Sequence, residues 1–418
     1  MTAPSVELIP RKPAVCSEAA ITLDVLVRIT PPMPEVHFPR PPLNLALVLD
    51  RSGSMAGAKK MPYAREAAAF AVRQLLPTDR VSVTTFDDRV EPVVPSVLAA
   101  DKSGIVRTIE QIQPRGSTDL HGGWAEGARQ AESHLVAGAL NRVLLLSDGL
   151  ANHGVTDPNA IAAEARGLAA RGISTTTLGV GDDYNEDLLE AMAKAGDGNY
   201  CYIQAPVQLA DIFQTELRGL MATLGQKVSL GVEPAAGVAV ADVLNDLERA
   251  PTGRLMLPNL VVGMPISVVV RLNVPADAGA DGWPLGVVRL AWDDGGTRRT
   301  LHASLAPLPA VPRVAWEALP DDPTVAEHEA LLMAARAQRE AAHALERGDV
   351  AMTRMALGRA RGLMDCFASP AALDELAALD LIEGALDAGA NLQMIKHAKY
   401  RAYKRHQSRP TPPEPPTS

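Results

Sequence analysis

The feature that most constrains the fold is an unbroken apolar run, LNLALVLD at residues 43–50, which ends on the carboxylate of Asp50. A run that is apolar on both faces is typical of a central strand in a parallel sheet covered on both sides. A second run, NRVLLLSDG at 141–149, repeats the pattern and reaches its carboxylate at Asp148. Strand-like and helix-like segments alternate up to about residue 224. This alternation predicts right-handed crossovers and a doubly wound, mostly parallel α/β sheet.

The flanking segments have a different pattern. From residue 226 to about 308, short alternating or apolar runs are separated by Gly, Pro, Asn and Asp, which indicates an antiparallel β-sandwich. The N-terminal segment contains two similar runs, SVELIPRK and ITLDVLVRI, with no crossover helix. We therefore expect the N-terminal strands to pair with the sandwich, so that the α/β domain is inserted into a β-domain.

These patterns divide the chain into five parts. After the sandwich the sequence becomes rich in Ala and Leu at helical spacing, and the last residues are rich in proline and uncapped. We predict N-terminal strands over 1–41, the α/β domain over 42–225, the β-sandwich over 226–315, a helical region over 316–408 and a disordered tail over 409–418.

Composition excludes several classes of function. A formal net charge of −9 and a pI near 5.5 argue against binding nucleic-acid phosphates, while a cation ligand remains compatible with them. Cys16, Cys201 and Cys366 are too far apart for a disulfide scaffold or a cysteine zinc site, and they favour a reducing compartment. We expect no secretory leader, because the first residues lack an apolar segment after their charges, and no later run reaches the roughly 18 apolar residues that span a bilayer. The expected location is the cytoplasm.

Oxygen-bearing side chains follow the predicted strand ends. Asp50 and Asp148 end two strands, and Ser52 and Ser54 follow the first of them. Thr118 lies in RGSTDL, in the loop before the next helix. Ligands of open α/β sheets collect at the carboxyl ends of the strands. Two carboxylates and three hydroxyls are hard ligands, suited to Mg²⁺, Mn²⁺ or Ca²⁺ rather than zinc.

This set of residues resembles a known site. Asp50-Arg-Ser52-Gly-Ser54, with Thr118 in a GST turn and Asp148 in SDG, is similar to the metal-ion-dependent adhesion site of the von Willebrand factor A family. The resemblance implies that the three hydroxyls coordinate a divalent cation. It also implies that the two aspartates supply carboxylates, directly or through water.

The resemblance also carries an expectation about function. It covers about residues 42–224, and the flanking strands and helical tail look like those of bacterial multidomain proteins with this domain. It implies a protein-interaction module without enzymatic activity, whose cation accepts an Asp or Glu from a partner. Members of the family often work beside ATPases in multi-subunit bacterial assemblies, so an AAA+ ATPase or another complex subunit is an expected partner.

Two other functions remain open. The first is a metal-dependent hydrolase or phosphotransfer enzyme, against which we find no P-loop, no DxDx[TV], no GxSxG and no HExxH motif. The motif also contains no His or Glu that would act as a general base. The second is a scaffold in which the metal is purely structural.

Other polar residues near the motif have ordinary explanations. We expect His121 and His153 to lie on the surface or behind the metal ligands rather than to bind a transition metal. Asp119 is expected to cap a helix, and Asp87 and Asp88 to be loop carboxylates, although a supporting role behind the ligands is open for all three.

The C-terminal stretch KHAKYRAYKRHQSR at 396–409 contains six Lys or Arg residues and no acid. We interpret it as a solvated helix end. Binding to an acidic protein, an anionic lipid or RNA is the alternative that its charge leaves open.

Overall fold

A computed structural model describes residues 3–33, 41–135, 138–150, 153–181, 183–276, 282–389 and 391–408 of the chain. The tail predicted over 409–418 lies outside these residues. The chain forms two compact units. The α/β unit comprises Phe38–Thr223 and Asp294–Thr297, and the β/helical unit comprises Met1–His37, Leu224–Asp293 and Arg298–Ser418.

The elements follow in chain order. The first strands are β1 (Ser5–Pro10), β2 (Val15–Cys16) and β3 (Ile21–Thr30). The next elements are β4 (Leu43–Asp50), α1 (Lys60–Gln74), β5 (Arg80–Phe86), β6 (Val90–Leu98), α2 (Lys102–Glu110), α3 (Leu120–Glu132), β7 (Leu140–Ser147), α4 (Pro158–Arg171), β8 (Ile173–Val180), α5 (Glu186–Ala195), β9 (Tyr200–Ile203) and α6 (Leu209–Met221).

The remaining strands are β10 (Thr223–Pro234), β11 (Ala239–Val243), β12 (Leu255–Met256), β13 (Leu260–Val261), β14 (Ile266–Val274), β15 (Gly286–Asp294), β16 (Thr297–Ser304) and β17 (Ala310–Val311). The helices that follow are α7 (Arg313–Ala318), α8 (Pro323–Glu346), α9 (Val350–Met364), α10 (Pro370–Asp387) and α11 (Asn391–His406).

The sheet of the α/β unit has six strands in the order β6-β5-β4-β7-β8-β9. Strand β4 is central and parallel to both neighbours, and all eight of its residues are buried. This explains its unbroken apolar run, because both faces of the strand are covered. The predicted α/β fold is confirmed, and the sheet is mixed, since β6 pairs antiparallel with β5 at one edge.

Helices cover both faces of this sheet. Leu45, Leu47 and Leu49 of β4 share an apolar cluster with residues of α1, α2 and α6. On the opposite face, a Cβ atom on Gly127 of α3 would lie 2.2 Å from a methyl group of Val48, so α3 packs closely against β4 there. The period-two alternation of a strand produces this division, because successive side chains point to opposite faces.

The strands of the β/helical unit form two main sheets. One is antiparallel with the order β1-β3-β14-β11, and the other contains β12-β10-β15-β16 with β13 paired to β10. A short parallel pair joins β17 to β2. Val25 and Val27 of β3 share one apolar core with Val228 and Leu230 of β10. The two main sheets therefore bury side chains against the same core.

The interpretation of the C-terminal basic stretch as a solvated helix end is wrong. In α11, Lys399 is 2% exposed and Arg401 is 4% exposed. Lys399 forms an ion pair with Glu346 of α8, and Arg401 contacts Asp374 at 2.8 Å and Glu375 at 3.1 Å on α10. Burial is tolerated because acids from other helices compensate these charges.

Among the described residues, no helix has both the length and the apolar character needed to cross a lipid bilayer.

Candidate metal centre

The register of the central strands places two of the predicted residues at neighbouring strand ends. Leu49 of β4 lies opposite Leu146 of β7, so Asp50 follows on one strand and Ser147 on the other. The hydroxyl of Ser147 donates a hydrogen bond to Oδ2 of Asp50 at 2.7 Å. Asp148 is therefore presented one residue beyond the end of β7, at the same carboxyl edge of the sheet.

The serines of the DRSGS motif connect the two aspartates. The loop turns back so that the amide of Ser52 donates to Oδ1 of Asp50 at 2.8 Å. The hydroxyls of Ser52 and Ser54 lie 3.0 Å apart, and the Ser54 hydroxyl donates to Oδ1 of Asp148 at 2.7 Å. Asp50 and Asp148 are fully buried, whereas Ser54 is exposed. Solvent therefore reaches the cluster at Ser54, whereas the side chain of Ser52 is buried like the two aspartates.

Thr118 joins this cluster from a third loop. A Cβ atom on Gly149 would lie 3.3 Å from the Thr118 hydroxyl oxygen and 3.7 Å from that of Ser54. Glycine at 149 therefore leaves the space between the Thr118 and Ser54 hydroxyls free of a side chain. All five residues predicted as ligands, Asp50, Ser52, Ser54, Thr118 and Asp148, are brought together at one edge of the sheet.

Burial raises the pKa of the Asp50 carboxyl to about 6, against hydrogen bonds from Ser52 and Ser147 that lower it. The negative charge of Asp148 adds to the increase in pKa. A carboxylate in this position is held at an electrostatic cost that a nearby cation would reduce. A perturbed acid at a strand end is a common property of functional sites.

Sequence reasoning did not predict a role for Lys60. Its ammonium donates to Oδ2 of Asp148 at 2.7 Å, and its side chain is 12% exposed. Both carboxylate oxygens of Asp148 therefore have donors, Ser54 on one side and Lys60 on the other. The signal in the sequence that could have indicated such a role is the pair of lysines at the start of α1. Positive charge is unfavourable at the N-terminus of a helix.

A buried ion-pair network supports the loops of the cluster. Asp87 is fully buried and accepts from Nε of Arg51 at 2.9 Å and from Nε of Arg115. These guanidinium groups keep the pKa of the Asp87 carboxyl below its usual value, although burial opposes this. Backbone hydrogen bonds connect the same loops. The amide of Gly53 donates to the carbonyl of Gly116, and the amide of Asp119 donates to the carbonyl of Asp87. Asp87 thus ties the serine loop to the loop that carries Thr118.

The remaining polar residues near the cluster have other partners. His121 lies 3.0 Å from a carboxylate oxygen of Glu164. Asp119 is the N-cap of α3 and accepts from the Gly122 amide at 2.9 Å, as predicted, and His153 lies 3.8 Å from its other oxygen.

The donors fit a hard divalent cation. Hydroxyl and carboxylate oxygens from three loops converge, and the residues predicted as ligands include no thiol and no imidazole. The site would hold its ion with few negative charges in contact with it, which leaves positive charge for a further oxygen ligand.

Comparison with known proteins identifies the class of this domain. Residues 44–215 match the family model described as von Willebrand factor type A domain, so this part of the chain is a von Willebrand factor A domain. Domains of this family are often metal-dependent and mediate protein interactions, and they bind a divalent metal at the adhesion site.

Two bacterial proteins are similar to part of this chain. The uncharacterized protein YfbK of Escherichia coli (strain K12) is 29% identical over 194 residues, which cover 46% of this chain and 34% of YfbK. The uncharacterized protein sll0103 of Synechocystis sp. is 28% identical over 275 residues, which cover 57% of this chain and 64% of sll0103. The chain thus spans about a third of the first relative and less than two thirds of the second.

A solved structure is similar over most of the chain. The structure described as von Willebrand factor type A from Catenulispora acidiphila superposes with a TM-score of 0.65, and the match covers 94% of this chain and 89% of that chain. Sequence identity is 17%, so this likeness concerns the fold alone.

Proposed function

We propose that this protein is a metal-dependent interaction module. A divalent cation at the cluster accepts an acidic side chain from a protein partner. The hydroxyls of Ser52, Ser54 and Thr118 and the carboxylates of Asp50 and Asp148 hold the ion, directly or through water. The observation that carries the proposal is the convergence of these five side chains at one edge of the sheet, where Ser54 is exposed to solvent.

The chemistry that the bound ion supplies is electrostatic attraction for an incoming carboxylate. The protein supplies position and burial. Asp50 and Asp148 are held by hydrogen bonds from Ser52, Ser147 and Ser54, so the carboxylates do not have to reorganise when the ion binds. Because three of the five ligands are neutral hydroxyls, the ion keeps positive charge that attracts an acidic residue of a partner.

We propose a non-enzymatic role. His121 is directed to Glu164 and His153 lies beside Asp119, so neither is positioned as a base for a metal-bound water. The two sheets of the β/helical unit are interpreted as a sandwich into which the interaction domain is inserted, because β3 before the domain pairs with β14 after it. In this interpretation the β/helical unit carries the domain within a cytoplasmic bacterial assembly, for example beside an AAA+ ATPase.

The experiment is calorimetric titration of Mg²⁺, Mn²⁺ and Ca²⁺ into chelator-treated protein. Saturable binding with one site is expected, and Asp50→Ala should abolish it. Asp88→Ala is the matched control, because Asp88 is an exposed carboxylate near the same edge and should leave binding unchanged.

Partner capture is tested in the same proteins. A pull-down with Mg²⁺ should recover a partner that is lost in EDTA and in Thr118→Ala, while the circular dichroism spectrum of Thr118→Ala stays that of the parent. Metal binding without metal-dependent capture would favour the structural-metal scaffold. Equal capture by Thr118→Ala and by the parent would contradict the proposal.

A further inference from the structure

The ion pair of Lys60 with Asp148 needs an explanation beyond helix stability. Lys60 is the first residue of α1, where the exposed amides of the helix carry partial positive charge, and a cation there is unfavourable. The first turn of α1 contains no acidic residue that would compensate it. The side chain is nevertheless largely buried and contacts Asp148 at 2.7 Å.

The surroundings of Lys60 hold its ammonium beside the cluster of predicted metal ligands. Gly181, directly after β8, has a φ of +75°, and a Cβ atom built there would lie 3.6 Å from both Cε and Nζ of Lys60. The ammonium therefore lies between the end of β8 and the Asp148 carboxylate. Lys59, its neighbour in sequence, is exposed.

We propose that Lys60 is a built-in counter-cation of Asp148 that lowers the affinity of the site for divalent cations. This inference rests on the proposed function. With Asp50 and Asp148 ionised, the carboxylates contribute two negative charges, and Lys60 cancels one of them. The ion is bound less tightly, and it keeps more of its positive charge for the acidic side chain of a partner. Lys60 acts through Asp148 and the local field, so it is a positioning and charge-setting residue rather than a ligand.

The size of the effect follows from Coulomb's law. Even at an effective dielectric constant of about 20, a unit charge within a few ångströms of a divalent ion changes the affinity for that ion substantially, before solvent screening reduces the effect. Because Lys60 is largely buried, we expect removal of its charge to increase divalent-cation affinity about tenfold or more. Lys59 is exposed and screened, so the same charge change there should alter affinity less than about twofold.

The experiment is titration of Mg²⁺ and Mn²⁺ into metal-free parent, Lys60→Gln, Lys60→Arg and the matched control Lys59→Gln. Glutamine at 60 removes the charge but keeps a donor for Asp148, and arginine keeps the charge. Tighter binding by Lys60→Gln, with parent-like binding by Lys60→Arg and Lys59→Gln, is expected. Unchanged or weaker binding by Lys60→Gln overturns this inference and leaves the proposed function intact. No binding by any of the proteins overturns the proposed function as well.

A second measurement does not depend on the calorimetric affinity. In EDTA, Lys60→Gln should melt several degrees below the parent, because Asp148 is left without its counter-cation. Saturating Mg²⁺ should raise its Tm by more than it raises the Tm of Lys59→Gln. Equal metal-induced shifts in the two variants would contradict the inference. Should Lys60→Gln fail to fold, Lys60→Met gives the same test, because its unbranched side chain fills similar volume without the charge.

Discussion

Two clusters of buried charge in this protein are compensated in different ways. In the helical region, Glu375 is 2% exposed and receives donors from Gln338 at 2.6 Å, Arg401 at 3.1 Å and Arg405 at 3.0 Å. At the edge of the α/β sheet, Asp50 is fully buried, and its described donors are a hydroxyl and an amide rather than a cation.

This difference distinguishes a cluster that stabilises the fold from a cluster that is suited to binding a ligand. The helical cluster neutralises its acid with its own arginines, so it can hold elements together without a ligand. The strand-end cluster leaves part of its negative charge uncompensated close to the exposed residue Ser54. A buried acid that the fold does not neutralise itself marks a place where an external cation improves stability.

The largest effect should come from breaking the helical cluster. Glu375→Ala leaves Arg401 and Arg405 without this acid in a largely buried site, and it should reduce the free energy of unfolding of the β/helical unit by about 3–5 kcal/mol. Urea denaturation measures this change. Asp387→Ala removes an acid from an exposed pair with Arg354 and should cost less than about 1 kcal/mol. Similar losses for both variants would mean that the buried cluster is no more important than a surface pair.

A smaller effect should come from the ion-pair network around Asp87, which supports the loops of the predicted metal site. Asp87→Asn removes the charge that ties Arg51 and Arg115 together, so the Thr118 loop loses its fixed position relative to the serine loop. Changes behind metal ligands typically cost roughly 10–100-fold in metal affinity, and we expect a loss in that range for Mn²⁺ measured by calorimetry. Asp88→Asn, one residue along and exposed, should bind as the parent does. A parent-like affinity for Asp87→Asn would show that the backbone bonds, together with the pairs of Glu91 with Arg51 and Arg115, hold the loop without the Asp87 charge.

The smallest effect concerns pH and the uncompensated acid. The pKa of Asp50 is about 6 in the folded protein, above the ordinary value of 3.8. The folded state therefore holds this proton more tightly, and the stability that the group contributes is fully present below about pH 3.8 and lost as the pH rises through about 6. For metal-free protein, the loss between pH 5 and pH 8 is about 1.4 kcal/mol.

Asp50→Asn isolates that contribution. Its free energy of unfolding relative to the parent, measured by urea denaturation in EDTA, should improve by about 1.4 kcal/mol between pH 5 and pH 8. Mg²⁺ should stabilise the parent at pH 8 and leave the variant unaffected. A difference that does not change with pH would mean that Asp50 is as easily ionised as a surface aspartate.

The sequence predicted the α/β domain and the position of the site for physical reasons. The two apolar runs ending near Asp50 and Asp148 belong to central strands, whose carboxyl ends must meet at one edge. Strand β6 and helix α2 were not predicted. The segment VEPVVPSVL of β6 contains two prolines and shows no regular alternation, because it is an edge strand with little of its length buried.

The ion-pair partners of the charged residues could not be predicted from the sequence in the same way. The partners of Asp87 are Arg51 and Arg115, and the partner of Lys60 is Asp148, 88 positions away. Lys399, Arg401 and Arg405 of α11 are likewise neutralised by acids on other helices. Periodicity describes which face of an element is buried, but it does not say which charges meet across the fold. This is why α11 was wrongly interpreted as solvated.

The central claim is that Asp50, Ser52, Ser54, Thr118 and Asp148 form one divalent-cation site. The most direct test is a crystal structure of the Mn²⁺-soaked protein, with anomalous scattering used to locate the ion. The account predicts one strong anomalous peak among the hydroxyls of Ser52, Ser54 and Thr118, which is absent in Asp50→Ala. A fully soaked crystal with no peak there, or with its strong peak elsewhere on the molecule, would contradict it.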